Sequence, residues 1–291
     1  MHPSMKSRPF RKSRPFSFIF FSFHYLLAVA CLIGAFPGRA DAGTFAARVS
    51  PPNFELKAKP GEVLRRVITI GNEDSAAAHF QIRTADWTLN EKGGVIIIPA
   101  DQPLPQSSCR TWTRIEKRSL KLAPQGVKQF RFEVHVPENT PDGQCRFAVV
   151  ITPSQETVDP LAIGNFKFPV AGAIAVIVYV TVGEAKPALE FKGIFADHDQ
   201  SEKGPMLRFS NNGNAHARPF GSVTVADANG KRAELIVVPF PILPGRRHDV
   251  ELMVDPQISG IGKMDELTYP LRLKGVVEWD GGKFQIDGAV D

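Results

Sequence analysis

Beyond residue 42 this chain lacks net charge, a bilayer-length apolar run, a helical repeat of apolar residues and any catalytic signature. Six of its 35 Lys and Arg and one of its 30 Asp and Glu fall within residues 1–42, leaving 29 of each behind them. The formal charge of +5 is therefore a property of the N-terminus. Without a general basic excess elsewhere, no nucleic-acid partner is expected. The uncharged stretch 168–182 falls short of the roughly 20 residues that a membrane-spanning helix needs. G-x-S-x-G, H-E-x-x-H, P-loop and dinucleotide fingerprints are absent. Asp197-His198-Asp199 lies in a polar loop and reads as a surface turn rather than a metal site. His216 and His248 have no partner at fixed spacing. No catalytic residue, metal or cofactor is expected. The chain reads as a binder, not an enzyme.

Cysteine is scarce, and one of the three, Cys31, sits inside an apolar N-terminal run. That run follows a basic segment ending at Arg14, spans residues 16–36 and precedes Ala40-Asp41-Ala42. This is the layout of a secretory signal cleaved before Gly43; an uncleaved signal anchor is the rival reading. Cleavage predicts a periplasmic protein with no stable membrane insertion. Cys109 and Cys145 then remain, and an even count in an exported chain favours a disulfide between them. Two separate free thiols are the alternative.

What the chain does contain is short β segments divided by turn residues. Phe130, Phe132, Val134 and Val136 alternate with Gln129, Arg131, Glu133 and His135, the pattern of a strand with one face buried. Similar segments recur about every ten residues up to 182, and about seven more follow Gly183-Glu184-Ala185-Lys186-Pro187. Asn229-Gly230 predicts a type I′ hairpin turn. The fold expected is all-β: residues 43–183 and 184–291 as two Ig-like sandwiches after a signal at 1–42.

The stretch 168–182 stands apart. Val170, Ile174, Val176, Val178, Val180 and Val182 occupy one side of a period-two alternation, and the other side, with Ala175, Ile177 and Tyr179, is also mostly apolar. Leaving Ile174, Val176, Val178 and Val180 in water would forgo roughly 1.5–3 kcal/mol each. Either this is an interior strand covered on both faces, or one face or edge receives another chain. A slip of one residue exchanges the faces, so both readings stand.

Arg48-Val49 before proline, a strand ending Ile68-Thr69-Ile70-Gly71-Asn72, and the run of strands over 128–182 resemble the periplasmic pilus-assembly chaperones, the two-domain P-pilus chaperone family. Asn211-Asn212-Gly213-Asn214-Ala215-His216, Leu243-Pro244-Gly245 and Trp279-Asp280-Gly281-Gly282 resemble the second Ig-like domain of such exported proteins. The resemblance implies a chaperone that binds secreted pilus or fimbrial subunits by β-strand complementation, with an outer-membrane usher as a further partner. It also implies a subunit-binding set of Arg48, Ile174, Val176, Val178 and Val180. Arg48 stands for the family arginine that anchors the subunit's terminal carboxylate. The family lysine has no counterpart, since Val176 occupies its place and Lys167 lies earlier. The family's Asp-Arg-Glu-Ser motif is replaced around Cys145-Arg146-Phe147. A different class of function also fits: an exported structural or adhesive envelope protein binding a partner or surface polymer permanently.

Overall fold

Period-two alternation is realised as strand nearly everywhere in the computed structural model, which describes residues 46–90, 93–154, 161–163, 166–168, 172–196 and 204–291. The signal at 1–42, residues 169–171 of the apolar stretch and Asp197-His198-Asp199 lie outside the described residues, as do the side chains of 161–163 and 166–168. Among the described residues no helix is long and apolar enough to cross a membrane.

The strands in chain order are β1 (Ala47–Ser50), β2 (Asn53–Ala58), β3 (Val63–Asn72), β4 (Ala78–Leu89), β5 (Val95–Ile98), β6 (Thr113–Ile115), β7 (Ser119–Leu122), β8 (Val127–His135) and β9 (Gly143–Pro153). There follow β10 (Leu161–Ile163), β11 (Phe166–Phe168), β12 (Ile174–Val182), β13 (Leu189–Phe195), β14 (Met206–Asn211), β15 (Phe220–Ala226), β16 (Arg232–Val237), β17 (Arg247–Val254), β18 (Leu271–Trp279) and β19 (Gly282–Val290). β10 and β11 pair with each other as an antiparallel hairpin. The protein is all-β, built as two Ig-like sandwiches.

The first sandwich sets the sheet β1-β3-β8-β6 against the sheet β2-β12-β9-β4-β5, with β7 also on β4. Residues 47–58 carry two strands, one in each sheet. Pro51-Pro52 lacks ladder donors, so the chain leaves β3 there and joins β12 as β2 in the other sheet. Phe130, Phe132, Val134 and Val136 are all buried, in one core with Leu56, Ile68, Phe80, Ile82 and Phe147. Phe132 meets Phe54 and Phe147 edge-on, with centroids 5.3 and 6.2 Å away.

Cys109, fully buried, is bonded to Cys145 on β9, and their Cα atoms are 5.5 Å apart. The bridge holds a loop that continues into the 3-10 turn Arg110–Trp112. Asp86 fixes the same loop, accepting from Ser108 Oγ and pairing with Arg110 Nε at 3.0 Å.

In the second sandwich seven strands follow the ladder β13-β14-β17-β16-β15-β18-β19. The ladder folds over, bringing Phe191 of β13 within 6.2 Å of Phe284 of β19, with Phe209 between strands in the same cluster. The hairpin at Asn229-Gly230 forms, but not with a two-residue type I′ turn. Of the two residues Gly230 alone has positive φ, at 81°. Asp227 accepts from the backbone N–H groups of Asn229 and Lys231, and its own N–H donates to Lys231. A carboxylate that caps its own loop makes the longer turn the better satisfied one.

Candidate functional site

β12 occupies the middle of its sheet along most of its length. On one side it is antiparallel to β9 throughout, from Ile174↔Ile151 to Val182↔Gly143. On the other it runs parallel to β2, but from Ile177↔Asn53 onward. Among the described residues, Ile174, Ala175 and Val176 have no strand on that second side. The opening follows from Pro51-Pro52: extended back in register, the chain would have covered these residues, and it crosses to β3 instead. The last bond before the opening is donated by Ile177 N–H to the carbonyl of Pro52, at 3.1 Å. Successive residues of a strand point their N–H groups to opposite edges. The N–H of Ala175 therefore faces the same, open edge, whereas that of Val176 faces β9.

The two faces of β12 are both covered. Val176, Val178, Val180 and Val182 point into the first sandwich's own core and are at most 1% exposed. The resemblance implied that Val176, Val178 and Val180 meet a client; their side chains face the core, and Ile174 is half-buried. The opposite face packs into a second cluster with Ala85, Trp87, Ala148, Val150 and Leu243. Tyr179 is its centre, crossing Trp87 edge-on at 5.4 Å and stacking on His216 at 4.0 Å. Trp87 Nε1 donates to the carbonyl of Phe147 at 3.0 Å. The cover on this face is supplied by the second sandwich of the same chain.

A polar group surrounds that stack. Glu55, on β2, faces His216 Nε2 at 3.3 Å and Arg218 Nε at 3.2 Å. Gln144 Oε1 accepts from the backbone N–H of His216 at 3.0 Å and lies 2.8 Å from its Nδ1. The hydrogen bond to His216 is the largest influence on Glu55, and together with Arg218 it overrides burial and holds the carboxyl at about 2. Burial drives the Tyr179 hydroxyl the other way, to about 12, against the opposing pull of Arg218 and Arg146. Asn211, fully buried, shapes the turn that presents His216, donating to the carbonyls of Ala215 and Ile242 and accepting from Ala188 and Gly213.

Arg48 lies on β1, in the opposite sheet, and its Nε meets Glu73 Oε1 at 2.6 Å with both side chains well exposed. It sits on the strand that vacates the open edge, five residues before β2 joins β12. Lys167 falls on β11, opposite Ala162. Glu55, Gln144, His216 and Arg218 were not expected as a group; their separation in sequence offered no spacing to read, although Asn211-Asn212-Gly213-Asn214 marked the turn that places His216.

No protein-family model matches the chain, and no curated protein matches it. Among solved structures it is similar to the class 5 fimbriae chaperone CfaA, with 11% identity over 83% of this chain and 98% of that one, at a TM-score of 0.43. It is similar to the YadV chaperone at 11% identity, over 84% and 99% of the two chains, with a TM-score of 0.42. The SafB chaperone of Salmonella enterica, solved with the SafA pilin, gives 13% identity over 84% and 97%, and a TM-score of 0.44.

Proposed function

We propose that this chain is a periplasmic, chaperone-like protein that binds secreted pilus- or fimbrial-type subunits by accepting a client strand at the open edge of β12. The observation that carries the reading is the interruption of pairing at Ile174, Ala175 and Val176 in a strand otherwise sealed on both edges. An unpaired edge is a template for a further strand, and main-chain hydrogen bonds there give affinity. The sequence resemblance supplies the client class. In this reading Ile174 and Val176 contribute through the backbone of the open edge, and Val178 and Val180 support it from the core. Arg48 would take the client's terminal carboxylate in exchange for Glu73. Exposed ion pairs are worth about 0–1 kcal/mol, so the exchange is cheap. Export with cleavage before Gly43, division into sandwiches 43–183 and 184–291, and delivery to an usher complete the proposal.

Ala175→Pro tests it. Proline removes the donor on the open edge and spares the donors of Ile174 and Val176 toward β9, and edge strands tolerate it at such positions. Coexpression with a pilin subunit lacking one strand should yield a copurifying complex, weakened about tenfold or more by the substitution. Circular dichroism and melting of the free protein should change little. A complex that forms equally well with Ala175→Pro, or a wild-type protein that retains no such subunit, would overturn the reading.

A further inference from the structure

A second opening lies on the other side of the same sheet. β4 pairs with β7 over Ala78–Gln81 and with β5 over Asp86–Leu89, so residues 82–85 have no partner strand between them. Ile82 N–H fills the first position by donating to the carbonyl of Arg118 at 2.9 Å. Thr84, two residues on, directs its N–H to the same edge. A hollow of about 480 Å³ occupies the gap, lined by Arg83, Thr84, Thr113, Arg114, Ile115 and Arg118. Arg114 comes from β6, the edge of the opposite sheet, so the hollow sits where the chain crosses between the two layers of the first sandwich.

Its charge is unbalanced. Arg110 and Arg131 nearby are paired, with Asp86 at 3.0 Å and Glu116 at 3.6 Å. Glu133 stands directly across the ladder from Arg114, but its oxygens are taken by Arg65 at 2.8 Å and His135 at 2.9 Å. Among the described residues Arg83, Arg114 and Arg118 therefore keep three guanidinium groups with no carboxylate partner. Like charges facing one space repel, and a bound anion relieves that repulsion. Guanidinium forks match phosphoryl oxygens in pairs, and the hydroxyl of Thr84 adds a donor of the kind such oxygens accept. The volume falls within the range of about 300–1,000 Å³ typical of small-ligand sites.

We infer that this hollow is a binding site for a multiply charged phosphate group, such as a diphosphate, distinct from the β12 edge. A free phosphorylated solute and the phosphorylated headgroup of an envelope lipid present the same chemistry.

Titration calorimetry with inorganic pyrophosphate, and sedimentation with vesicles of phosphatidic acid and phosphatidylcholine, separate the two sources. Saturable pyrophosphate binding that falls about ten- to a hundredfold in Arg83→Gln and in Arg118→Gln supports a site for a soluble ligand. Cosedimentation with the anionic vesicles that the same substitutions abolish supports a headgroup site. Arg272→Gln removes an equal charge from the second sandwich, outside the hollow, and should leave both readouts unchanged. The inference is overturned if neither probe binds, or if Arg272→Gln weakens binding as much as the other two.

Discussion

Tyr179→Ala should lower stability by about 3–5 kcal/mol, the range for emptying a buried aromatic site. Tyr179 is 1% exposed and lies between Trp87 on its own sheet and His216 of the second sandwich. The substitution deletes both ring contacts and the stacking partner of a histidine that also meets Glu55 and Gln144. For a chain of this size the melting temperature should fall by roughly 6–20 °C. Because the lost ring joins the two sandwiches, the calorimetric transition should also broaden or divide, as coupling between them weakens. Tyr179→Phe keeps the stack and should recover most of the loss. A Tyr179→Ala protein that melts as a single transition within 2 °C of the wild type would show that the ring is not the joint.

Replacing both Cys109 and Cys145 by alanine should be nearly as severe. The bond closes a loop across 36 positions, which the chain-entropy account values at roughly 4 kcal/mol. What it frees is specific: the loop before Arg110–Trp112 would be held to β9 by the backbone bonds of Arg146 with Ser107 and Cys109, and to β4 by Asp86 through Ser108 and Arg110. Denaturant melts of the double variant should show the lost stability. Non-reducing peptide mass spectrometry of the exported protein should find the two cysteines linked. Recovery of both as alkylatable thiols would refute the bridge.

The architecture was legible where one face of a strand is apolar and the other polar. β8 gave its core residues directly, and the second sandwich has the seven strands expected of it. β7 was missed because Ser119–Leu122 contributes just Leu120 and Leu122 to the core, too short a pattern to stand out. β12 was ambiguous for a physical reason. Both of its faces are apolar, so period two identifies a strand without saying which face is inside. The tie is broken by partners far away in sequence: Phe147 and Leu56 on one face, Trp87, His216 and Leu243 on the other. The ion-paired surround of Glu55, His216 and Arg218 was invisible for the same reason. Edge status was also hidden, since it depends on Pro51-Pro52 sending β1 to the opposite sheet, a consequence of topology rather than of β12 itself.

Among the described residues, β12 leaves its backbone edge unpaired at its N-terminal end and nowhere after Ile177. Hydrogen exchange resolved at single amides reads this directly, because protection follows hydrogen bonding and burial. In the free protein the Ala175 amide should exchange rapidly while those of Val176, Ile177 and Val178 are protected, and Ala175 should become protected when a client subunit is bound. An Ala175 amide already protected in the free protein, or one that still exchanges rapidly in the complex, would contradict the account.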